Sequence, residues 1–236
     1  MKRKFVLISI ALMFVLGIAV VFYPNIRTRI NARAQAEILE QHQEEVAALY
    51  DEYIAGHFLR ADEVNMGLSL LPEDGTLYLA QHAILPHDYN EILNVGDVMA
   101  RLLIPVINVD LPIFHTTHPD VLEIGVGHIE GTSFPIGGES THSALTAHAG
   151  LPTARLFTDL EQGVDIGDYF FIDVLDRRLA YRVDQITVIL PHEIEHLRII
   201  PGEDLVTLIT CTPYTVNTHR LLVRGSRVEF ETHLYE

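Results

Sequence analysis

The single cysteine of this chain, Cys211, ends an apolar stretch, Thr207-Leu208-Ile209-Thr210-Cys211, and Pro213 keeps that stretch from simply running on. A thiolate is the nucleophilic form of cysteine, and a neighbouring cation favours it over the thiol. Arg220 opens the next apolar run, Arg220-Leu221-Leu222-Val223. If the two runs pair as strands across residues 213–218, thiol and guanidinium meet at one end of a sheet, because paired strands lie about 5 Å apart. Acyl transfer through a thiol also needs an acid–base group. His148 closes the run Ala144-Leu145-Thr146-Ala147-His148 just before Gly150. A strand end leading into a loop is where a rigid scaffold offers reacting groups. A lone cysteine is otherwise a small buried hydrophobe; the neighbours of Cys211 argue for a nucleophile instead.

Other residues compete for these roles. Arg224 lies four positions after Arg220 and shares its strand face, but Arg220 is nearer the end that carries Cys211. Of the 13 histidines, His128 and His142 read as structural or surface groups, and His219 points to the face opposite Arg220. His192-Glu193-Ile194-Glu195-His196 matches the His-Glu-x-x-His pattern that binds zinc when it is helical. Pro191 and Pro201 leave room for about three turns at most, and Ile199 and Gly202 occupy the positions where an extended zinc motif has Gly and His. The segment therefore reads as a solvated loop helix, and the chemistry expected here uses neither metal nor cofactor.

The elements that must position these side chains follow from hydrophobic period. Residues 102–109, 143–148, 168–174, 179–190, 205–211 and 220–230 are rich in Val, Ile and Leu, with Gly, Pro, Asp and Asn between them. Six or more strands with few helices suggest a closed or nearly closed antiparallel barrel. Upstream, Ile26, Ile30, Ala34, Ile38, Val46, Leu49 and Tyr53 recur every three to four residues with a gap at His42, giving an amphipathic helix that stops at Gly56 and packs outside the barrel. A turn at Pro72–Gly75 and a helix around Tyr89 to Leu93 follow.

Residues 5–23 carry no charge. At about 1.5 Å per residue they span roughly 28 Å, close to the hydrocarbon thickness of a bilayer. Val20, Val21 and Phe22 carry the apolar run past the small residues Gly17 to Ala19, so an uncleaved anchor is expected rather than a signal peptide. Basic residues flank the span on both sides, Lys2, Arg3 and Lys4 before it and Arg27, Arg29 and Arg33 after it, so their count does not orient it. A short basic head before a long downstream region favours that region outside the cytoplasm. The chain holds 32 acidic and 16 basic residues, a formal charge of -16. That excludes nucleic acid, whose phosphates call for basic patches, and suits a substrate carrying an amine.

Taken together, Thr207 to Pro213, then Tyr214, and Asn217-Thr218-His219-Arg220 through Gly225 resemble the catalytic hairpin of the sortases, and class C, the pilin-polymerising sortases, in particular. Ile104 to Ile113, Gly125 to Pro135, and Ser140 to His148 followed by Gly150-Leu151-Pro152 are similar to the same class. The resemblance covers roughly residues 89–230. It implies a mainly β, eight-stranded closed sortase barrel with N-terminal helices and a transmembrane anchor, divided as anchor 1–25, helical and possible lid region 26–98, and catalytic barrel 99–236. It further implies that Cys211 attacks the threonine carbonyl of a Leu-Pro-x-Thr-Gly-like sorting signal, that His148 moves the proton, and that Arg220 holds substrate and oxyanion. The partners implied are sorting-signal-bearing pilins or surface proteins at a Gram-positive-type cell surface. Pilin polymerisation, anchoring to cell-wall peptide, and a tethered barrel with an inert thiol remain as alternatives.

Several positions depart from the family pattern. Ala147 and Ala149 flank the histidine where Gly and Arg are usual, and Thr215 stands where Gly is common. Residues 57–88 lack the Asp-Pro-aromatic tripeptide of class C lids, leaving Phe58 and Tyr78 as aromatic candidates for a looser cover. A single anchor, at the N-terminus, is expected.

Overall fold

The computed structural model describes residues 2–71 and 87–229. The turn at Pro72–Gly75 and Tyr78 lie outside the described residues. Eight strands, β1 (Ala100–Ile104), β2 (Val109–Phe114), β3 (Val126–His128), β4 (Thr141–Thr146), β5 (Tyr169–Val174), β6 (Arg177–Ile189), β7 (Asp204–Thr212) and β8 (His219–Val228), close in the order β1-β2-β3-β4-β7-β8-β6-β5. Closure leaves no unpaired sheet edge.

Two details differ from the sequence reading. The run 102–109 is not one strand: β1 ends at Ile104, a 3-10 turn occupies Pro105–Ile107, and Asn108 at φ +52° turns the chain into β2. Pro105 cannot donate to a ladder, which breaks the run there. The barrel is also not wholly antiparallel, because β2 pairs parallel with β3 and β4 pairs parallel with β7. Parallel neighbours need crossover connections. One of them carries the short helix α3 (Pro119–Leu122), and α4 (Leu160–Gly163) lies in the connection from β4 to β5.

Alternate residues of each strand face the core. Leu145, Ala147, Val206, Leu208, Leu221 and Val223 point into the main cluster with Phe170, Ile172 and Tyr181. Their neighbours Ala144, Ile209 and Leu222 face the other way and form a second cluster with Ile189, against which Ile129 and Leu197 pack. That smaller cluster lies on the outer surface of β4, β7, β8 and β6.

The N-terminal half is two helices. α1 (Lys2–Ala47) runs unbroken through the apolar segment, with an unburied stretch long and apolar enough to cross a membrane. Its later part lies on the barrel: Asn31 donates to Thr153 O (2.9 Å), Gln35 to Ile124 O (2.8 Å) and His42 to Val95 O (2.9 Å). The gap in the apolar stripe at His42 is thus a buried polar contact. α2 (Asp51–Ser69) begins after a break at residues 48–50, so Gly56 lies inside a helix and does not end one. Tyr50 and the acidic first turn, Asp51 and Glu52, restart the helix with favourable charge at its N-terminus. The helix expected around Tyr89 to Leu93 is a 3-10 turn, Tyr89–Glu91.

Candidate active site

The β7–β8 hairpin sets Cys211 directly opposite Arg220, in a ladder running from Leu205↔Ser226 to Thr212↔His219. On the other side of β7, β4 runs parallel in the register Thr146↔Ile209. Ala147 extends that ladder by donating its N–H to Ile209 O at 3.2 Å. Two residues further on, the same register brings His148 alongside Cys211. Cys211 and Arg220 are therefore paired on β7 and β8, and His148, two residues past the end of β4, reaches their level where that register is continued. By strand parity they share the outer face with Ala144, Ile209 and Leu222.

Two threonines lock this register beside the three candidate residues. Thr146 Oγ1 donates to Ile209 O (3.2 Å), and Thr210 Oγ1 donates to Ala147 O (2.8 Å). The first hydroxyl meets the backbone two residues before Cys211 and the second meets it one residue before His148. Thr212 Oγ1 donates to Glu161 Oε1 (2.8 Å), tying the end of β7 to α4. The His148 carbonyl accepts from Phe157 N–H (3.0 Å), and Gly150 N–H donates to Thr158 Oγ1 (3.0 Å), folding the following loop back on itself. Gly150, at φ +81°, lies against the Tyr214 ring, where an added Cβ would come within 2.8 Å. The loops after His148 and after Cys211 thus touch at a place where only glycine fits.

The three side chains are partly exposed, and among the described residues the His148 ring and the Cys211 thiol have no hydrogen-bond partner. Arg220 donates to the carbonyl oxygens of Asn217 (3.3 Å) and His219 (3.0 Å) and pairs with no carboxylate among the described residues. Arg224 differs: it forms a two-pronged pair with Asp184 at 3.0 and 2.8 Å, which leaves little of its fork for a substrate. Asp184 is held below the ordinary carboxylate range by that arginine and by Ser226, against the effect of its burial.

The remaining candidates fall elsewhere. His128 and His142 are buried, and both are structural: His128 lies between Tyr89 Oη (2.9 Å) and Ser133 O (2.9 Å), and burial pushes its pKa down to about 4. His219 sits on the opposite face of β8 beside Thr218. Residues 192–196 form no α-helix. Ile194–Leu197 is a 3-10 turn, so His192 and His196 do not share the face that a zinc-binding helix would give them. Phe58 is no part of a cover over the site. It is buried in α2, and the Arg177 guanidinium lies 3.6 Å from its ring centre. The sequence reading missed the threonine cross-ties and the Gly150–Tyr214 contact. Thr146 and Thr210 differ by sequence signal from no other strand threonine, and their partners are backbone atoms about 63 residues away.

A family model described as Sortase, sortase domain, matches residues 102–228. The chain belongs to the sortase family. It superposes on sortase C1 of GBS pilus island 1 with a TM-score of 0.76 and 41% identity, covering 86% of this chain and 96% of that one. Sortase C-1 from Streptococcus pneumoniae gives a TM-score of 0.73 and 42% identity over 83% of this chain and 100% of that one. Sortase A of Streptococcus agalactiae serotype III is 26% identical over 54% of this chain and 52% of its own length. The chain spans between about half and two thirds of the length of the curated relatives it matches.

Proposed function

We propose that this protein is a membrane-anchored cysteine transpeptidase of the class C kind, with Cys211 as nucleophile, His148 as acid and base, and Arg220 as substrate and oxyanion ligand. The observation that carries this reading is the register that brings the three residues to one level on one outer face, with the thiol and a guanidinium that has no carboxylate partner among the described residues as direct cross-strand neighbours. The Cys211 thiolate adds to the threonine carbonyl of a Leu-Pro-x-Thr-Gly-like signal. The carbonyl electron pair moves onto oxygen, where Arg220 stabilises it. Collapse breaks the Thr–Gly C–N bond, and His148 gives its proton to the leaving amine. The resulting thioester is attacked by a second amine, whose proton passes to His148 as the C–S bond breaks and the thiolate is restored.

The acceptor in this proposal is a pilin lysine, in keeping with the identity to the sortase C1 structures. The uncharged, unburied first part of α1 would hold the enzyme at the membrane with the barrel outside the cytoplasm. Asn31 docks on the barrel only a few residues beyond that segment, so the catalytic face would lie close to the lipid surface. The test is to incubate the full-length protein in detergent with a sorting-signal peptide and measure intact mass. A thioester adduct on Cys211, discharged by a lysine-bearing pilin, is expected. Discharge only by cell-wall peptide amines would reassign the enzyme to surface-protein anchoring. No adduct at all would leave the barrel as a binding module.

A further inference from the structure

The connection from β6 to β7, residues 190–203, passes over the outer face that carries Cys211. Its 3-10 turn, Ile194–Leu197, presses Leu197 onto the cluster of Ala144, Ile189, Ile209 and Leu222. Beneath it a cavity of about 160 Å³ is lined by Thr187, His196, Arg198, Thr207, Leu222 and Arg224, among others. Thr207, Ile209 and Cys211 occupy successive outward positions of β7, so cavity, apolar cluster and thiol follow one another along a single strand. An extended peptide with an apolar residue ahead of the cleaved bond would find its apolar contacts there.

The hydrogen bonds inside this connection are local: Glu193 N–H to Leu190 O (3.1 Å) and Arg198 N–H to Glu195 O (3.4 Å). The far end of the connection is pinned by Thr141 N–H to Glu203 O (3.1 Å) and Gly202 N–H to Ser140 Oγ (2.9 Å), and His142 supplies the side-chain contact that holds its middle, at Arg198. It is 1% exposed, on the same face of β4 as Ala144 and His148. Its Nδ1 lies 2.7 Å from Arg198 O and its Nε2 2.7 Å from Thr207 Oγ1. A carbonyl can only accept, so Nδ1 carries the proton, and the neutral ring accepts the Thr207 hydroxyl through Nε2. Burial holds the ring below its ordinary pKa, with nearby Arg224 acting the same way and the Arg198 carbonyl and Asp184 opposing. Both ring nitrogens are thus committed, one to the loop and one to the floor of the cavity.

We infer that His142 is a positioning residue for substrate binding: it ties the β6–β7 connection to the sheet and so fixes the width of the cleft that receives the apolar part of the sorting signal. This role rests on the transpeptidase reading above. It sets affinity for the peptide and leaves the chemistry at Cys211 untouched, since His142 lies six residues before His148 and touches none of the three reacting groups.

The experiment compares wild type with His142→Ala in the full-length protein in detergent, using a sorting-signal peptide. The expected result is a KM raised roughly tenfold, about the worth of a buried hydrogen bond to a neutral group, with kcat within about threefold. Alkylation of Cys211 by a small thiol reagent should stay within about twofold of wild type. Hydrogen exchange should quicken at residues 192–200 and stay unchanged in β4 and β7. His142→Asn, which keeps a donor near the Nδ1 position, should restore KM to within about threefold of wild type. An unchanged KM, or a fall in kcat matched by slower alkylation, would overturn the role. If His142→Ala does not fold, His142→Phe fills the site without a donor to Arg198 O, and an unaltered KM in that variant overturns it equally. A wild-type protein that cleaves no sorting-signal peptide sinks the transpeptidase reading instead, and unchanged loop exchange in His142→Ala would then refute the tie on its own.

Discussion

His148 stands half-exposed just past the end of β4 with no hydrogen-bond partner for its ring among the described residues, whereas His115 and His128, a few strands away, are buried and tied to backbone carbonyls. His115 donates to Ile92 O at 2.6 Å, and His128 bridges Tyr89 and Ser133 while stacking on Phe134 at 5.6 Å. On α2, half-buried His57 accepts Leu93 N–H at 3.0 Å, and Asn65 clasps the Phe134 backbone through both its N–H and its carbonyl. In this second region imidazole serves as a neutral cross-link between α2, residues 89–95 and the barrel. The same side chain is left open in one place and bolted in the other. What separates the two is burial against backbone partners, because a buried ring pays a desolvation cost to charge.

The contrast is sharpest in substitutions. Cys211→Ala should abolish peptide cleavage while leaving the melting temperature nearly unchanged; turnover by a folded Cys211→Ala protein would end the nucleophile assignment. His148→Ala should lower kcat/KM by roughly 10²- to 10⁴-fold, again without loss of fold. His128→Ala should do the reverse, costing roughly 2–4 kcal/mol of stability through an emptied site and the unpaired Tyr89 hydroxyl. Its kcat, measured on the folded fraction by active-site titration, should stay within a few-fold of wild type. A His128→Ala protein that melts like wild type but turns over slowly would erase the distinction.

Acid offers a second way to test it. Burial lowers the pKa values of His57, His115, His128 and His142 in the folded state. Between the unfolded value near 6.5 and the lower folded values, the unfolded chain binds more protons, so stability is full above pH ~6.5 and declines as pH falls below it. For His128, whose folded value is about 4, the loss approaches roughly 3 kcal/mol by the time pH reaches that value. Denaturant midpoints measured from pH 7 to pH 4 should show this fall, and His128→Gln should flatten part of it. A midpoint independent of pH over that range would mean these rings are not neutral bolts.

Smaller effects distinguish the two arginines of β8. Arg220→Lys should reduce kcat/KM by about tenfold or more, because an ammonium cannot reproduce the planar fork. Arg224→Lys, which weakens only the pair with Asp184, should stay within about threefold, since a partly exposed pair contributes ~1 kcal/mol or less. Equal losses would move the anion-binding role, wholly or in part, to Arg224. The smallest effect expected is at Thr215, held at φ +67° in the loop beside the site. Thr215→Gly should be neutral to stabilising by up to about 1 kcal/mol, as a β-branched residue is strained there. Activity should hold or fall slightly as the loop loosens.

The sequence alone determined the chemistry-bearing hairpin. Cys211 and Arg220 lie nine residues apart around a proline-containing loop, and local pairing across so short a connection leaves few other registers. The apolar, uncharged run at residues 5–23 and the alternation along β4 to β8 were equally local and equally legible. Three things were decided only by tertiary structure. The parallel pairing of β4 with β7 joins residues about 63 positions apart, and nothing near either strand encodes that choice. The division of one apparent strand into β1 and β2 depends on which partner each half finds around the closed barrel. The sorting of the histidines into rings left open, His148 among them, and bolted ones depends on carbonyls and hydroxyls contributed by distant elements: Val95 for His42, Ser133 and Tyr89 for His128, Arg198 and Thr207 for His142. A residue's type and its near neighbours fix what it can do. Whether it is left free to do so is set by groups that only the closed barrel brings within hydrogen-bonding distance.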